Sequence, residues 1–227
     1  MTHQTASPSR VEAQRPRAPI VYVVDDDPSL LCALSRRLRA DAYQVETFGS
    51  AEEFLSRPRA GVAGCVVLDL QMPGPGGLEL QAALAQADDP LPVVFLTGHG
   101  DVASSVRAMK GGAVDFLTKP FRGEELVEAV RRALARGAAE QQTRRQRRAW
   151  RGRYERLTAR EREVFALVVS GRPNKQIADA LGTCERTVKA HRAQVMHKMG
   201  VQSPAELGRA VEWLGEAFQA APPANGG

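Results

Sequence analysis

Asp69 ends a short apolar run, Cys65-Val66-Val67-Leu68-Asp69, and Leu70-Gln71-Met72-Pro73-Gly74 follows at once. That order puts one carboxylate at the carboxyl edge of a buried strand, where open parallel sheets build their sites. Other runs end in the same way. Ile20-Val21-Tyr22-Val23-Val24 leads into Asp25-Asp26-Asp27, and Pro92-Val93-Val94-Phe95-Leu96 leads into Thr97-Gly98. A fourth run, Val114-Asp115-Phe116-Leu117-Thr118, delivers Lys119-Pro120. Carboxylates, a hydroxyl and an amine converge on one rim, which is the equipment of a phosphorylation switch.

Asp25, Asp26 and Asp69 brought together repel one another, and crowding favours protonation of one of them. A hard divalent cation, Mg²⁺ (or Mn²⁺), resolves the conflict by taking carboxylate and carbonyl oxygens while bridging to phosphate. Asp69 then stays ionised and can attack a phosphoryl donor as a nucleophile. Charge on the transferred group calls for counter-donors. Lys119 offers an ammonium, Thr97 a hydroxyl, and the backbone N–H groups after Asp69 add to them. Taken alone, Asp25, Asp26 and Asp27 read equally well as a charge cluster at a helix N-terminus. Four strand ends carrying this set in this order favour the phosphoryl site.

The elements that must position these residues alternate along positions 20–135. Asp27-Pro28 is a good helix start, an Asp cap with proline in the first turn. Leu30, Leu31, Leu34 and Leu38 follow at helical spacing. Residues 43–48 alternate like a strand, and Ser50 with Glu53 reads as a capping box. Further helices are predicted over 77–87, 101–110 and from 123 onward. Five strand–helix units imply an α/β fold, a doubly wound five-stranded parallel sheet with helices on both faces.

Residues 157–214 are helical throughout. Thr158 with Glu161 is a second capping box, and Gly171-Arg172-Pro173 ends that helix. A short helix from Asn174, a turn at Gly182-Thr183 and a longer basic helix over 185–199 are the ingredients of a helix-turn-helix. Ser203-Pro204 opens a last helix. In the longer helix Val188, Val195 and Met199 face the core, and Arg186, Lys189, Ala190 and Ala193 project toward the groove with Thr187 among them. Lys189 suits a base edge, whereas Asn174, Lys175, Arg186 and Arg192 suit phosphates, with Lys198 flanking. His191 reads as a packed helix histidine.

At 227 residues the chain accommodates two modest domains, and 43% apolar with 25% charged residues is ordinary globular composition. No apolar run approaches the roughly 20 residues that span a bilayer. Three scattered cysteines, Cys32, Cys65 and Cys184, make neither a disulfide framework nor a metal cluster, so a reducing cytoplasm is expected. Residues 1–135 hold 14 Lys+Arg against 17 Asp+Glu, while 136–227 hold 17 against 9. An acidic front half (−3) and a basic back half (+8) point the second half at a polyanion. The expected partition is a disordered tail (1–18), the α/β domain (19–136), a basic helical linker (137–156), a small all-α helix-turn-helix domain (157–217) and a second tail (218–227). The arginine-rich linker reads as a solvated helix in preference to a DNA contact.

Val24-Asp25-Asp26, Asp69 with Met72-Pro73, Leu96-Thr97-Gly98 and Lys119-Pro120-Phe121 resemble the receiver domain of two-component response regulators. The run from Thr97 to Val102 and the run from Met109 to Phe116 are similar to the NarL/FixJ class, in its FixJ-like branch. Residues 157–164, 174–178 and 186–192 resemble the LuxR-type helix-turn-helix of the same proteins. The resemblance implies a flavodoxin-like sheet of order 2-1-3-4-5, with Asp69 as phosphoacceptor. It implies Asp25, Asp26 and the carbonyl of Gln71 as further Mg²⁺ ligands, Thr97 and Lys119 on the phosphoryl oxygens, and Phe116 as the aromatic that changes rotamer with Thr97. A cis Lys119–Pro120 bond is expected.

The implied activity is phosphorylation of Asp69 by a sensor histidine kinase, homodimerisation through a face including Val102, Val106 and Met109, and binding to double-stranded DNA. RNA polymerase is the further partner expected of a transcription factor that is not an enzyme. Cys184 departs from the family pattern, which has Ser there as a cap. Either Thr183 takes over the cap or the helix starts less firmly. Two other readings are a phosphohydrolase using an Asp nucleophile and a phosphorylation-independent DNA binder. Gln71, where such hydrolases place a general acid, opposes the first; the intact acidic pair with Thr97 and Lys119 opposes the second.

Overall fold

The computed structural model describes residues 18–58, 63–87, 90–98, 102–215 and 218. The expected tails, the Asp101 helix start and the His99-Gly100 motif lie outside the described residues, apart from positions 18 and 218 at the tail borders; the same is true of the Val102 side chain. The chain divides into two compact units, residues 1–141 and 142–227.

In the first unit five strands, β1 (Ile20–Val24), β2 (Gln44–Phe48), β3 (Gly64–Asp69), β4 (Val93–Thr97) and β5 (Asp115–Thr118), form one parallel sheet ordered β2-β1-β3-β4-β5. Helices α1 (Pro28–Ala40), α2 (Ala51–Ser56), α3 (Gly77–Ala85), α4 (Val102–Lys110) and the 33-residue α5 (Gly123–Glu155) follow the strands in turn. Alternation along each strand sends side chains to opposite faces. Val21, Val23, Cys65, Val67, Val94 and Leu96 pack with Leu34 and Leu38 of α1 and with Leu126 and Val130 of α5. Tyr22, Val24, Val66, Leu68, Val93 and Phe95 pack with Phe54 of α2, Leu80 and Leu84 of α3 and Ala108 of α4. Covering both faces explains why the central strands are continuous apolar runs.

Local chemistry sets the element ends. The Asp27 side chain accepts from the N–H groups of Ser29 and Leu30, with Pro28 in the first turn of α1. Ser50 accepts from Glu53 N–H, but the Glu53 carboxylate takes the N–H of Gly49 instead of the cap residue, one position off the expected box. The predicted 77–87 helix stops at Ala85, with Gln86 as its C-cap. β5 starts one residue later than the apolar run, although the Val114 N–H still joins the ladder through the Val93 carbonyl at 2.8 Å. Gly77 lies so close to the site strand that a Cβ there would collide with the Asp69 carbonyl and the Phe95 ring.

The second unit contains the end of α5 with α6 (Ala159–Val169), α7 (Asn174–Ala180), α8 (Glu185–Met199) and α9 (Pro204–Leu214). Thr158 and Glu161 form the expected capping box, and Ser203 caps α9 through Glu206 N–H. Gly200 ends α8 in the left-handed region (φ 64°), the usual glycine C-cap. Its core joins Val164, Phe165 and Val168 to Ile177, Val188, Val195, Met199, Leu207 and Leu214, with Tyr154 and Leu157 from the α5 end.

Candidate functional site: a carboxylate–amine cluster and a helix-turn-helix

Strand register brings the chemistry together. Val24 pairs with Leu68, so Asp25 and Asp69 leave their strands at the same level; Thr97 pairs with Thr118, which puts Lys119 one step beyond. The Lys119 ammonium donates to Asp25 Oδ2 and to Asp69 Oδ1, 2.9 Å in each case. Asp25 and Asp69 are 1% and 5% exposed, so both charges sit away from bulk water. The backbone finishes their coordination. The Asp27 N–H reaches Asp25 Oδ1 at 2.9 Å, and the Gln71 N–H reaches Asp69 Oδ2 at 3.2 Å. Thr97 is fully buried at the end of β4, with its carbonyl accepting from the Lys119 N–H at 2.7 Å. The Lys119–Pro120 bond is cis, as expected. Asp26 is exposed beside Asp25, and Gln71 is exposed in the loop after β3. Phe116 is half-buried on β5, packed against the α2–α3–α4 face of the sheet.

Burial is the largest influence on Asp69 and pushes its pKa up; the Asp25 charge adds to this, and Lys119 opposes it. Burial disfavours the Lys119 charge, yet the hydrogen bonds to Asp25 and Asp69 outweigh it and hold that pKa above the ordinary lysine value. Two carboxylates share one ammonium, leaving an excess negative charge with Asp26 alongside. Such a surplus of hard oxygen donors fits Mg²⁺, which uses one or two carboxylates plus waters and has little use for a ready-made protein cage. No group of three or more His, Cys, Asp or Glu that could hold a metal ion by themselves occurs among the described residues.

In the second unit α7, a turn and α8 make the helix-turn-helix. Val188, Val195 and Met199 are buried, as expected, while Arg186, Lys189, Ala190 and Ala193 are exposed on α8 and Lys175 is exposed on α7. Thr187 and His191 are half-buried. Arg192 Nη1 donates to Asn174 Oδ1 at 2.8 Å, joining two of the residues expected on phosphates. Lys198, expected to flank the groove, has a partner inside the unit. Its ammonium is 2.6 Å from the buried Glu161 carboxylate, so it ties α8 to α6. Nothing in the sequence spacing signalled that pair. Nor did it signal Arg160, whose Nη2 donates to the Leu181 carbonyl at 2.5 Å and satisfies the end of α7.

Cys184 itself is the N-cap of α8 and makes no side-chain cap bond, so Thr183 does not take over. Its Sγ shares a hydrogen bond with the Thr187 hydroxyl at 3.3 Å, the main reason its thiol is held below the ordinary value. Cys65, by contrast, is buried in the sheet, which pushes its thiol up to about 12.

A parallel α/β domain with an acidic pair, a third Asp and a lysine on its carboxyl rim, joined to a helix-turn-helix, is the architecture of a receiver domain coupled to a DNA-binding domain. Residues 21–131 match the response regulator receiver domain family, and residues 155–211 match the luxR family of bacterial regulatory proteins. Nodulation protein W of Bradyrhizobium diazoefficiens is 45% identical over 86% of each chain, and the transcriptional regulatory protein FixJ of Rhizobium meliloti is 40% identical over 83% of this chain and 93% of its own. The solved structure of the response regulator StyR covers 86% of this chain and 98% of its own at 44% identity, with a TM-score of 0.77.

The chain belongs to the NarL/FixJ class of two-component response regulators, with a receiver domain and a LuxR-type DNA-binding domain. Its relatives are transcriptional regulators, a receiver implies a histidine kinase partner, and the LuxR-type domain implies DNA. Receiver domains bind Mg²⁺ at the phosphorylation site. Among the described residues no helix is long and apolar enough to cross a membrane.

Proposed function

We propose that the chain acts in the cytoplasm, where Asp69 accepts a phosphoryl group from a sensor histidine kinase, and that the acyl phosphate drives dimerisation and sequence-specific DNA binding that controls transcription. The observation that carries this reading is the Lys119 ammonium, 2.9 Å from both Asp69 and Asp25 at the end of the sheet. An Asp69 carboxylate oxygen attacks phosphorus, and the P–N bond of the phosphohistidine breaks. Lys119 and the Gln71 N–H hold the carboxylate in place, and Lys119 with the Thr97 hydroxyl offsets charge on the new phosphoryl oxygens. Asp25, Asp26, Asp69 and the Gln71 carbonyl would hold Mg²⁺, which would supply positive charge to offset that of the transferred group. Gln71, an amide two residues after the nucleophile, gives no acid for rapid turnover, so the product persists as a signal.

The acyl phosphate shifts a pre-existing equilibrium. Thr97 and Phe116 relay the change to α4, where Val106 and Met109 are 44% and 49% exposed on a helix that also holds Val102. Dimerisation there presents two α8 helices to successive half-sites, Lys189 reading base edges and Arg186, Thr187, Ala190, Ala193, Asn174, Lys175 and Arg192 fitting the groove and its phosphates. RNA polymerase is the further partner this reading calls for.

The test is phosphoryl incorporation from a small-molecule donor with Mg²⁺. Asp69→Asn removes the nucleophile and is expected to abolish labelling. Unchanged labelling eliminates Asp69 as the acceptor.

A further inference from the structure

The two halves of α5 differ in charge. Within residues 123–141 three arginines stand among four glutamates. Arg131 and Arg132 pair with Glu128, Arg132 also with Asp115, and Arg136 with Glu140 at 2.9 Å. Residues 142–156 contain seven arginines and a single acid, Glu155, a net charge of +6. Glu155 pairs with Arg151 at 2.9 Å.

Arg144, Arg147, Arg148 and Arg151 stand at i, i+3, i+4 and i+7, the spacing that gathers side chains on one side of a helix. Like charges so placed repel one another. Trp150 and Tyr154 occupy another side and pack on the core of the second unit, the Tyr154 ring 5.3 Å from Phe165. Arg153 Nη1 donates to the Met199 carbonyl at 3.1 Å, and its guanidinium lies 4.9 Å from the Trp150 ring centroid. The end of α5 is thereby fastened to the last residue of α8. The segment is part of the second compact unit; of the two domains that Trp150 and Tyr154 could pack against by sequence, it is the helix-turn-helix domain that receives them.

We infer that the stripe of Arg144, Arg147, Arg148 and Arg151 is an accessory surface for DNA backbone phosphates, beside the end of the recognition helix. This rests on α8 being the groove-entering helix. The stripe runs over eight residues, 144–151, about 10 Å at 1.5 Å per residue, which matches roughly three phosphates of one strand measured along the duplex axis. No lysine occurs between residues 120 and 174, and arginine's flat fork suits paired phosphate oxygens better than an ammonium does. The stripe reads no bases, so it raises affinity for any sequence.

The test uses the full-length chain on two duplexes, one of random sequence and one that the wild type selects from a randomised pool, with affinity measured across a salt series. Arg147→Gln with Arg151→Gln removes two charges while keeping good helix formers. The slope of log affinity against log salt is expected to fall by about 1.8 on both duplexes, at about 0.9 per phosphate lost, with the preference for the selected duplex unchanged. Arg147→Lys with Arg151→Lys is expected to keep the slope. Lys189→Ala is expected to change the preference instead. A Gln double variant with the wild-type slope, or a Lys double variant as impaired as the Gln one, overturns the inference and leaves the role of α8 standing. Wild-type binding that ignores salt, with Lys189→Ala equally without effect, overturns the role of α8 and the stripe together.

Discussion

Glu161 and Lys198, 37 residues apart in the chain, meet at 2.6 Å between α6 and α8. Glu161 does two tasks. One oxygen accepts the Thr158 N–H at 2.7 Å in the capping box, and the same carboxylate receives the Lys198 ammonium. The Lys198 hydrogen bond, followed by that of Thr158, holds the Glu161 pKa below the ordinary glutamate value. A depressed acid contributes stability that is present above its unfolded-state pKa and is lost as pH falls through the folded one.

The second unit is therefore expected to weaken as pH drops from neutral through and below the ordinary glutamate range near 4.5. Glu161→Gln is expected to flatten that dependence. At neutral pH it should cost about 1–3 kcal/mol, the scale of a lost charge-assisted hydrogen bond. Thermal unfolding at a series of pH values checks both statements. A Gln variant with the wild-type pH profile would mean the pair does not hold α8 to α6.

Mg²⁺ is expected to stabilise the receiver, because the proposed ligand set of Asp25, Asp26 and Asp69 is assembled only in the folded chain. At a concentration one hundred times the dissociation constant the gain is about 2.7 kcal/mol, reversed by a chelator. Asp26 is exposed and carries no packing role, so Asp26→Asn should fold normally yet lose most of this gain. Equal Mg²⁺ stabilisation of wild type and variant in a thermal titration would remove Asp26 from the ligand set.

Much of this was legible because strand ends and helix caps are local. Asp27-Pro28, Thr158 with Glu161 and Ser203-Pro204 announce their helices from neighbouring residues, and four apolar runs ending in Asp, Asp, Thr and Lys announce the rim. The family resemblance supplied the sheet order, which alternation alone does not determine. What stayed hidden depends on long-range packing. Lys198 looks like another basic residue of a DNA-reading helix until α6 is folded against it. Trp150 and Tyr154 suit packing against either domain by sequence alone, and only the fold shows that their rings enter the second core. Charge type can be read from a sequence, but a partner across the fold cannot.

Cys184 leaves the first turn of α8 without a side-chain acceptor. Serine has an oxygen of the right reach for a free N–H in that turn, so Cys184→Ser is expected to stabilise the second unit by about 1 kcal/mol. It also removes the thiol whose pKa Thr187 lowers. Denaturant unfolding measures the first effect, and a variant no more stable than wild type would show that solvent already caps the helix adequately.

Val106 and Met109 are two of the large apolar side chains exposed among the described residues, three positions apart on α4. Three residues apart on a helix puts them on one face, and hiding that face in a partner removes apolar area from water. Val106→Glu with Met109→Glu introduces like charges that would oppose each other across a two-fold interface. The double variant is expected to accept phosphoryl at the wild-type rate, since neither residue touches Asp69, Asp25 or Lys119. Its phosphorylated form should dimerise at least tenfold more weakly, a change of about 1.4 kcal/mol. Sedimentation of phosphorylated wild type and variant over a concentration series decides the matter. Identical dimer constants would move the interface off α4, whereas lost phosphorylation would mean the substitutions had disturbed the site itself.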